Sequence, residues 1–318
     1  MDTQIKTHPN GIGNKNNQAS ITGHLGNIES GDFRYTSNEQ TGLTTAVLNL
    51  NVAVNPPRLE GTTRVPKAQW FDAVILGKLA EQVVEILQTG MLVTLSGHAT
   101  YRSWPALKDG EPITYTDEKS GETKQAYQTA ANLVVDRVCY TAADGLYYQV
   151  TEKFGEVIFT AVARPDKADS QKANIVLRGT ATDIQLTPAS ETSDARLNFV
   201  LNESYIRWSG AAAVRRHRVT MWGDPAVLAH AEMQEGDQVT VLGALSPNSY
   251  TDRLGIYQQT FNITARVLDN YGQKQAAKPG ALQSEQQRAD SALVMPASKA
   301  STPKAATALV PFTNLANQ

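Results

Sequence analysis

The stretch QWFDAVILGKLAEQVVEILQTGMLVTLSG, residues 69–97, carries the pattern from which the fold follows. Gln69 to Leu76 is rich in aromatic and β-branched residues and ends at Gly77, as a strand does. The period then changes, because Leu79, Val83, Ile86 and Leu87 fall at helical spacing. Gly90 stands where a left-handed cap ends a helix, and Met91 to Ser96 resumes as a strand. Strand, short helix and strand form the unit to extend in both directions.

Upstream, Thr45 to Val54 alternates Leu48, Leu50, Val52 and Val54 with Asn49, Asn51 and Ala53, the signature of a half-buried strand, and Ser20 to Leu25 supplies another before it. Downstream lies a polar insertion, Pro105 to Lys124, with turn signals at Asp109-Gly110 and Ser120-Gly121, followed by a last strand at Ala131 to Tyr140. Three strands, a helix and two strands is the order of the OB-fold.

The second half repeats that order. Strands are expected at Ala173–Ala181, Ala195–Asn202 and Arg215–Met221. A short helix follows, with Asp224 as N-cap, Pro225 in its first turn and Gly236 past its end. Gln238–Gly243 and Tyr257–Val267 complete five strands. Gly223, Gly236 and Gly243 each lie 146 residues beyond Gly77, Gly90 and Gly97, and a constant offset marks a duplicated unit. The expected fold is therefore all-β with short helices: two tandem OB-fold five-stranded Greek-key barrels plus a disordered C-terminal tail. Residues 1–18 are expected to be disordered, 19–140 to form the first OB unit and 171–270 the second. Residues 141–170 are too apolar, at Leu146-Tyr147-Tyr148 and Val157-Ile158-Phe159, to be a flexible tether, so they should pack as a connector. Residues 271–318, dominated by Gln, Ala, Ser, Lys and Pro, hold no period and read as the disordered tail.

Composition narrows the function. A net charge of -2 over 318 residues argues against holding nucleic acid by bulk positive charge, so any such site must be local. One cysteine, Cys139, permits neither an internal disulfide nor a cysteine-based zinc site. Met1 to Gln18 lacks an apolar core and no stretch is long and apolar enough to span a bilayer, so a cytoplasmic protein without membrane contact is expected. Phosphate-binding-loop and HExxH patterns are missing. His230-Ala231-Glu232 resembles the start of a zinc deaminase motif without its Pro-Cys-x-x-Cys, which leaves His230 an ordinary helix residue. His24 and His98 read as ladder or surface positions. The expectation is no catalytic residue, no metal and no cofactor.

The four tryptophans are Trp70, Trp104, Trp208 and Trp222, and Tyr250 stands 146 residues after Trp104. All are expected at or near strand ends and long loops, where an OB-fold presents its groove. Basic residues accompany them: Arg64 and Lys67 before Trp70, Arg102 before Trp104, Arg207 before Trp208, and Arg215-Arg216-His217-Arg218 shortly before Trp222. A strand with three arginines in four positions directs some to each face. Aromatic faces for bases with guanidinium groups for phosphates is the equipment of single-strand binding, where stacking contributes about 1–3 kcal/mol per base with little regard to base identity.

Ile21-Thr22-Gly23-His24-Leu25-Gly26, Phe33-Arg34-Tyr35-Thr36, Gln69-Trp70, the run from Val74 to Glu81 with Gly77-Lys78-Leu79-Ala80-Glu81, and Gly97 to Trp104 follow in order and spacing a known pattern. In these segments the chain resembles the bacterial single-stranded DNA-binding protein family over about Ala19 to Tyr140, with a weaker match in the second unit. The resemblance implies a non-enzymatic protein that coats and protects single-stranded DNA in replication, recombination or DNA transfer. It implies stacking at Trp70 and Trp104 in unit one and at Trp222, Tyr250 and Trp208 in unit two, with Lys78, Arg102, Arg215, Arg216 and Arg218 beside them. Departures are visible: Leu76 replaces a usual aromatic, Arg216 a tryptophan, and Asp72 a basic residue that unit two keeps as Arg218. Family members usually gather four OB-folds, so a homodimer is implied. Their usual recruiting tip, an acidic cluster leading to a terminal Pro-Phe, is replaced here by Pro311-Phe312 followed by Thr313 to Gln318, which leaves the partners of the tail undefined. Two other readings fit the same architecture: an OB-fold protein-interaction scaffold, and a single-stranded RNA-binding protein.

Overall fold

Alternating burial along residues 44–54 is where pattern becomes pairing. In the computed structural model, which describes residues 16–37, 42–55, 67–118, 120–165, 170–206 and 211–270, the chain runs β1 (Asn17–Leu25), β2 (Phe33–Ser37), β3 (Thr44–Val54), β4 (Gln69–Leu76), α1 (Gly77–Val83) and β5 (Leu92–Pro105). Four short strands follow, β6 (Leu107–Lys108), β7 (Glu111–Pro112), β8 (Thr114–Thr116) and β9 (Thr123–Gln125), and then β10 (Tyr127–Thr141). Leu48, Leu50, Val52 and Val54 point inward from β3 and are buried, while Asn51 faces out.

Pairing closes the first barrel. β1 pairs with β3, β3 with β4, β4 in parallel with β10, and β5 with both β10 and β1. The sheet edges that would attract other strands are thereby joined to each other. Its interior is filled by Ile21, Leu48, Phe71, Ile75, Leu95 and Leu133, none more than 0% exposed.

The second barrel repeats the circuit with β13 (Lys172–Thr187), β14 (Arg196–Ile206), β15 (Ala212–Trp222), α2 (Asp224–Glu232), β16 (Gln238–Thr251) and β17 (Tyr257–Asn270), after β11 (Tyr147–Lys153) and β12 (Glu156–Ala161). β13 pairs β14, β14 pairs β15, β15 runs parallel to β17, and β16 pairs both β17 and β13. The duplication is therefore a duplication of topology: Ala73 and Val219, 146 apart, each open the parallel pairing of their barrel. Gly90 and Gly236 both take positive φ, at 81° and 90°, where a side chain would strain. Gly97 and Gly243 both lie where a Cβ would strike a crossing backbone carbonyl, Val134 O at 1.9 Å and Thr264 O at 2.5 Å.

Two local expectations need correction. The helix expected to run to Gly90 ends at Val83, because the segment after it tightens into turns in which Leu87 N–H still bonds Val83 O and Gly90 N–H bonds Leu25 O. Asp224 is the first residue of α2 and Gly223 its N-cap, with no side-chain capping bond. The polar insertion is folded: β6 pairs β7 and β8 pairs β9, extending the arm made by β5 and β10. The segment between the barrels forms the hairpin β11–β12, laid against β10. Of residues 1–18, expected to be disordered, 1–15 lie outside the described residues, whereas Asn17 and Gln18 belong to β1 and pair with Leu177 and Val176 of β13; the tail 271–318 lies outside the described residues too.

The barrels are joined strand to strand. β1 and β13 pair antiparallel from Asn17↔Leu177 to Thr22↔Lys172, so one sheet crosses from one barrel into the next. Phe71 of β4 stacks on Phe261 of β17 with ring centroids 6.3 Å apart, and Tyr101 of β5 tilts against the same ring at 6.0 Å. Among the described residues no helix is long and apolar enough to cross a membrane.

Candidate nucleic-acid interface

An indole that packs a core loses most of its surface, whereas one that receives a base must keep it. Trp70 is 54% exposed and Trp222 45%, each next to a buried strand residue, Phe71 and Met221, while Trp104 at 40% and Tyr250 at 41% stand in the exposed ends of β5 and β16. Trp208, with Arg207, lies outside the described residues. Trp70 stands on β4 against Gly26, where an added Cβ would come within 3.0 Å of its ring. It lines a depression on the side of Gly26, Asn27 and Asp32, and a second one shared with Tyr257 of the other barrel. Trp222 closes β15 opposite Arg196, whose guanidinium sits 5.6 Å from the indole centroid in cation–π contact. Leu76, at the equivalent end of β4, is exposed as well.

Trp104 and Tyr250 lie on the two long arms, and the arms are braced against each other. Trp104 of β5 is paired with Gln128 of β10, and Tyr250 of β16 with Gln258 of β17. The buried Gln258 amide reaches across, its Nε2 donating to Tyr127 O and its Oε1 accepting from Thr129 N–H, both at 2.9 Å. Asp252 accepts from the same Nε2 at 2.9 Å. A small separate core of Ala106, Ala126 and Ile256, with Ile113 against it, seals the contact between the insertion and the tip of the second arm. Gln258, Tyr257 and the exposed Tyr35 and Tyr127 escaped sequence reasoning. Only the pairing of two arms distant in sequence makes Gln258 a brace.

The arginine-rich strand divides by parity, as a strand must. Arg216 and Arg218 face out, and through the offset of 146 they occupy in barrel two the places of Trp70 and Asp72 in barrel one. Arg216 holds Asp183 in an exposed ion pair at 2.9 Å. Arg215, expected among the phosphate contacts, is turned inward instead. Its Nη1 donates to both oxygens of the fully buried Glu203 at 2.9 and 3.0 Å, and its guanidinium lies over Tyr205 at 4.3 Å. A buried carboxylate needs this cation more than a surface phosphate does. Lys78 on α1 and Arg102 beside Trp104 are exposed.

Glu203 also accepts from Asn17 Nδ2 at 2.8 Å, and Asn17 bonds Ala99 through N–H and carbonyl both. His217 Nε2 stands 2.8 Å from Glu203 Oε2, and Tyr101 O–H reaches His217 Nδ1 at 3.3 Å. Asn17 and Tyr101 belong to barrel one, Glu203, Arg215 and His217 to barrel two. Burial opposes the charge of Glu203, but the His217 hydrogen bond and the Arg215 cation outweigh it and hold its carboxyl below the usual range. Burial pushes His217 down against the pull of Glu203, which makes it a neutral ring donating from Nε2 and accepting at Nδ1. Burial likewise raises the Tyr101 phenol, which keeps its proton to donate. The arrangement holds the two grooves in one orientation. Among the described residues no group of histidine, cysteine and carboxylate side chains could hold a metal ion.

The profile of the Single-strand binding protein family matches residues 16–132, from β1 into the first part of β10. A curated single-stranded DNA-binding protein of Thermus aquaticus is 28% identical over 230 residues, 70% of this chain and 73% of that protein. Its counterpart from Thermus thermophilus is 29% identical over 233 residues, 70% of this chain and 72% of that one. The crystal structure of the wild-type Thermus aquaticus single-stranded DNA binding protein superposes at a TM-score of 0.48 and 17% identity, covering 80% of this chain and 92% of that one, a likeness too slight to bear on the reading. Exposed strand aromatics and sequence similarity to the single-strand binding protein family coincide within residues 16–132, which hold most of the first barrel.

Proposed function

We propose that this protein binds single-stranded DNA without catalysis, laying one strand across both barrels with bases stacked on Trp70, Trp104, Trp222 and Tyr250, and on Trp208. The observation that carries this reading is the exposure of the four described aromatics on the strands of the two barrels, two in each. Arg102, Lys78, Arg216 and Arg218 supply phosphate contacts at its margins, which a net charge of -2 makes local. The braced arms favour a joint platform over two independent grooves, because Gln258 ties the strand opposite Trp104 to the strand that carries Tyr250's partner. The protein works in the cytoplasm as a homodimer with four OB-folds, an assembly that light scattering reads directly as twice the chain mass.

Titration of intrinsic tryptophan fluorescence with oligo-dT of about 30 nucleotides, enough for two OB units at roughly 4–16 each, tests the central claim. Strong quenching that saturates at a defined site size is expected. Unchanged emission at low salt would overturn stacking.

A further inference from the structure

Stacking is indifferent to base identity, yet beside Trp70 the surface is built for more than stacking. The cleft between the barrels is lined by Trp70 and Asp72 of β4, Asn248 of β16, and Tyr257, Gln259 and Phe261 of β17. Trp70 and Tyr257 are each about half exposed. They belong to different barrels, whose relative placement is held by the Phe71–Phe261 stack and the β1–β13 pairing. A recess lined by two half-exposed aromatic rings and polar side chains suits one planar heterocycle turned out of a stacked strand.

The recess has a distinctive polar group. Asp72 stands where family resemblance leads one to expect a basic residue, so the phosphate path cannot be favoured at that point. Its carboxyl is raised by burial, which the hydrogen bond from Gln259 only partly offsets. Such a carboxylate is short of donors. Ionised, it offers two oxygens and no proton, with lone pairs beyond the one Gln259 uses. Of the nucleobases, guanine alone sets two donors side by side on its pairing edge, N1–H and the N2 amino group. Thymine and uracil have a single N–H flanked by carbonyls, and the amino groups of cytosine and adenine adjoin a ring-nitrogen acceptor that a carboxylate repels.

We propose that the cleft between Trp70 and Tyr257 is a guanine-reading pocket, in which Asp72 accepts from N1–H and N2–H of one base turned out of the bound strand. This rests on the single-stranded DNA reading above and adds to it a preference at one nucleotide. Asn248 and Gln259 line the same cleft and add amide groups to it.

The test uses the full chain and three oligonucleotides of about 30 nucleotides: oligo-dT, the same strand with one central guanine, and the same strand with hypoxanthine, which lacks the N2 amino group. Competition binding followed by fluorescence anisotropy should show the guanine strand bound about fivefold more tightly or better, the lower end of what a bidentate pair contributes. Hypoxanthine should lose most of that gain, and in Asp72→Asn the guanine-to-thymine ratio should fall to about one. Equal binding of all three strands by the unaltered protein would overturn the guanine pocket while leaving the single-strand reading standing. Binding of none of them would overturn that reading as well.

Discussion

His217 Nε2 lies 2.8 Å from Glu203 Oε2 with both side chains fully buried, and the pair ties the second barrel to Tyr101 and Asn17 of the first. Both folded-state pKa values are lowered. The unfolded chain therefore binds protons that the folded one refuses. Stability should be full above the ordinary histidine value of about 6.5, decline as pH falls through it, and decline further below the ordinary carboxylate range of about 4. Melting temperatures measured from pH 8 down to about 4 check this, and a flat profile across the histidine range would contradict a neutral His217.

Removing the anion from this network should be severe. Glu203→Gln leaves Arg215 buried without its counter-charge, at a cost of about 3–5 kcal/mol in chemical denaturation. Arg215→Gln should lose stability for the same reason.

Salt dependence separates inner from outer arginines. If Arg216 and Arg218 meet phosphates, each change to Gln should reduce the slope of log K against log salt by about 0.7 for oligo-dT. Arg215→Gln should leave the slope unchanged, since its guanidinium faces Glu203.

Trp104→Ala and Trp222→Ala lie in different barrels and should each weaken oligo-dT binding by about 1–3 kcal/mol. A strand that crosses both barrels must also show a shorter site size in each variant and more so in the double variant. An effect from one tryptophan alone would limit binding to that barrel.

Gln258→Leu fills the same space but strands Tyr127 C=O and Thr129 N–H, and should cost about 1–3 kcal/mol with faster hydrogen exchange at Thr129. Oligo-dT affinity should fall with it, because Trp104 and Tyr250 would then sit on uncoupled arms.

Gly97→Ala would place a Cβ 1.9 Å from Val134 O and should destabilise by about 3 kcal/mol or more, whereas Gly31→Ala, which meets nothing within 4 Å, should change stability by less than about 0.5 kcal/mol. Thermal denaturation of the two variants distinguishes them.

Strand order, the duplication and the aromatic candidates were legible in the chain because they are properties of local periodicity. Leu48 to Val54 alternate whatever surrounds them, the glycines at 77, 90 and 97 recur at a fixed offset because the same positive-φ turns and, at Gly97 and Gly243, the same close strand crossing recur, and Trp70, Trp104, Trp222 and Tyr250 stood out by type and company. Closure was expected only through the strand order of the OB-fold, since the parallel pairing of β4 with β10 itself joins residues sixty apart through no local signal. Nor was the fate of Arg215: alternation says that neighbouring arginines part, but which one goes inward depends on Glu203, brought from the adjacent strand. Gln258 and the shared cleft of Trp70 and Tyr257 were decided by tertiary structure alone, because a hydrogen bond or a pocket wall between two barrels depends on distances that no one-dimensional pattern encodes.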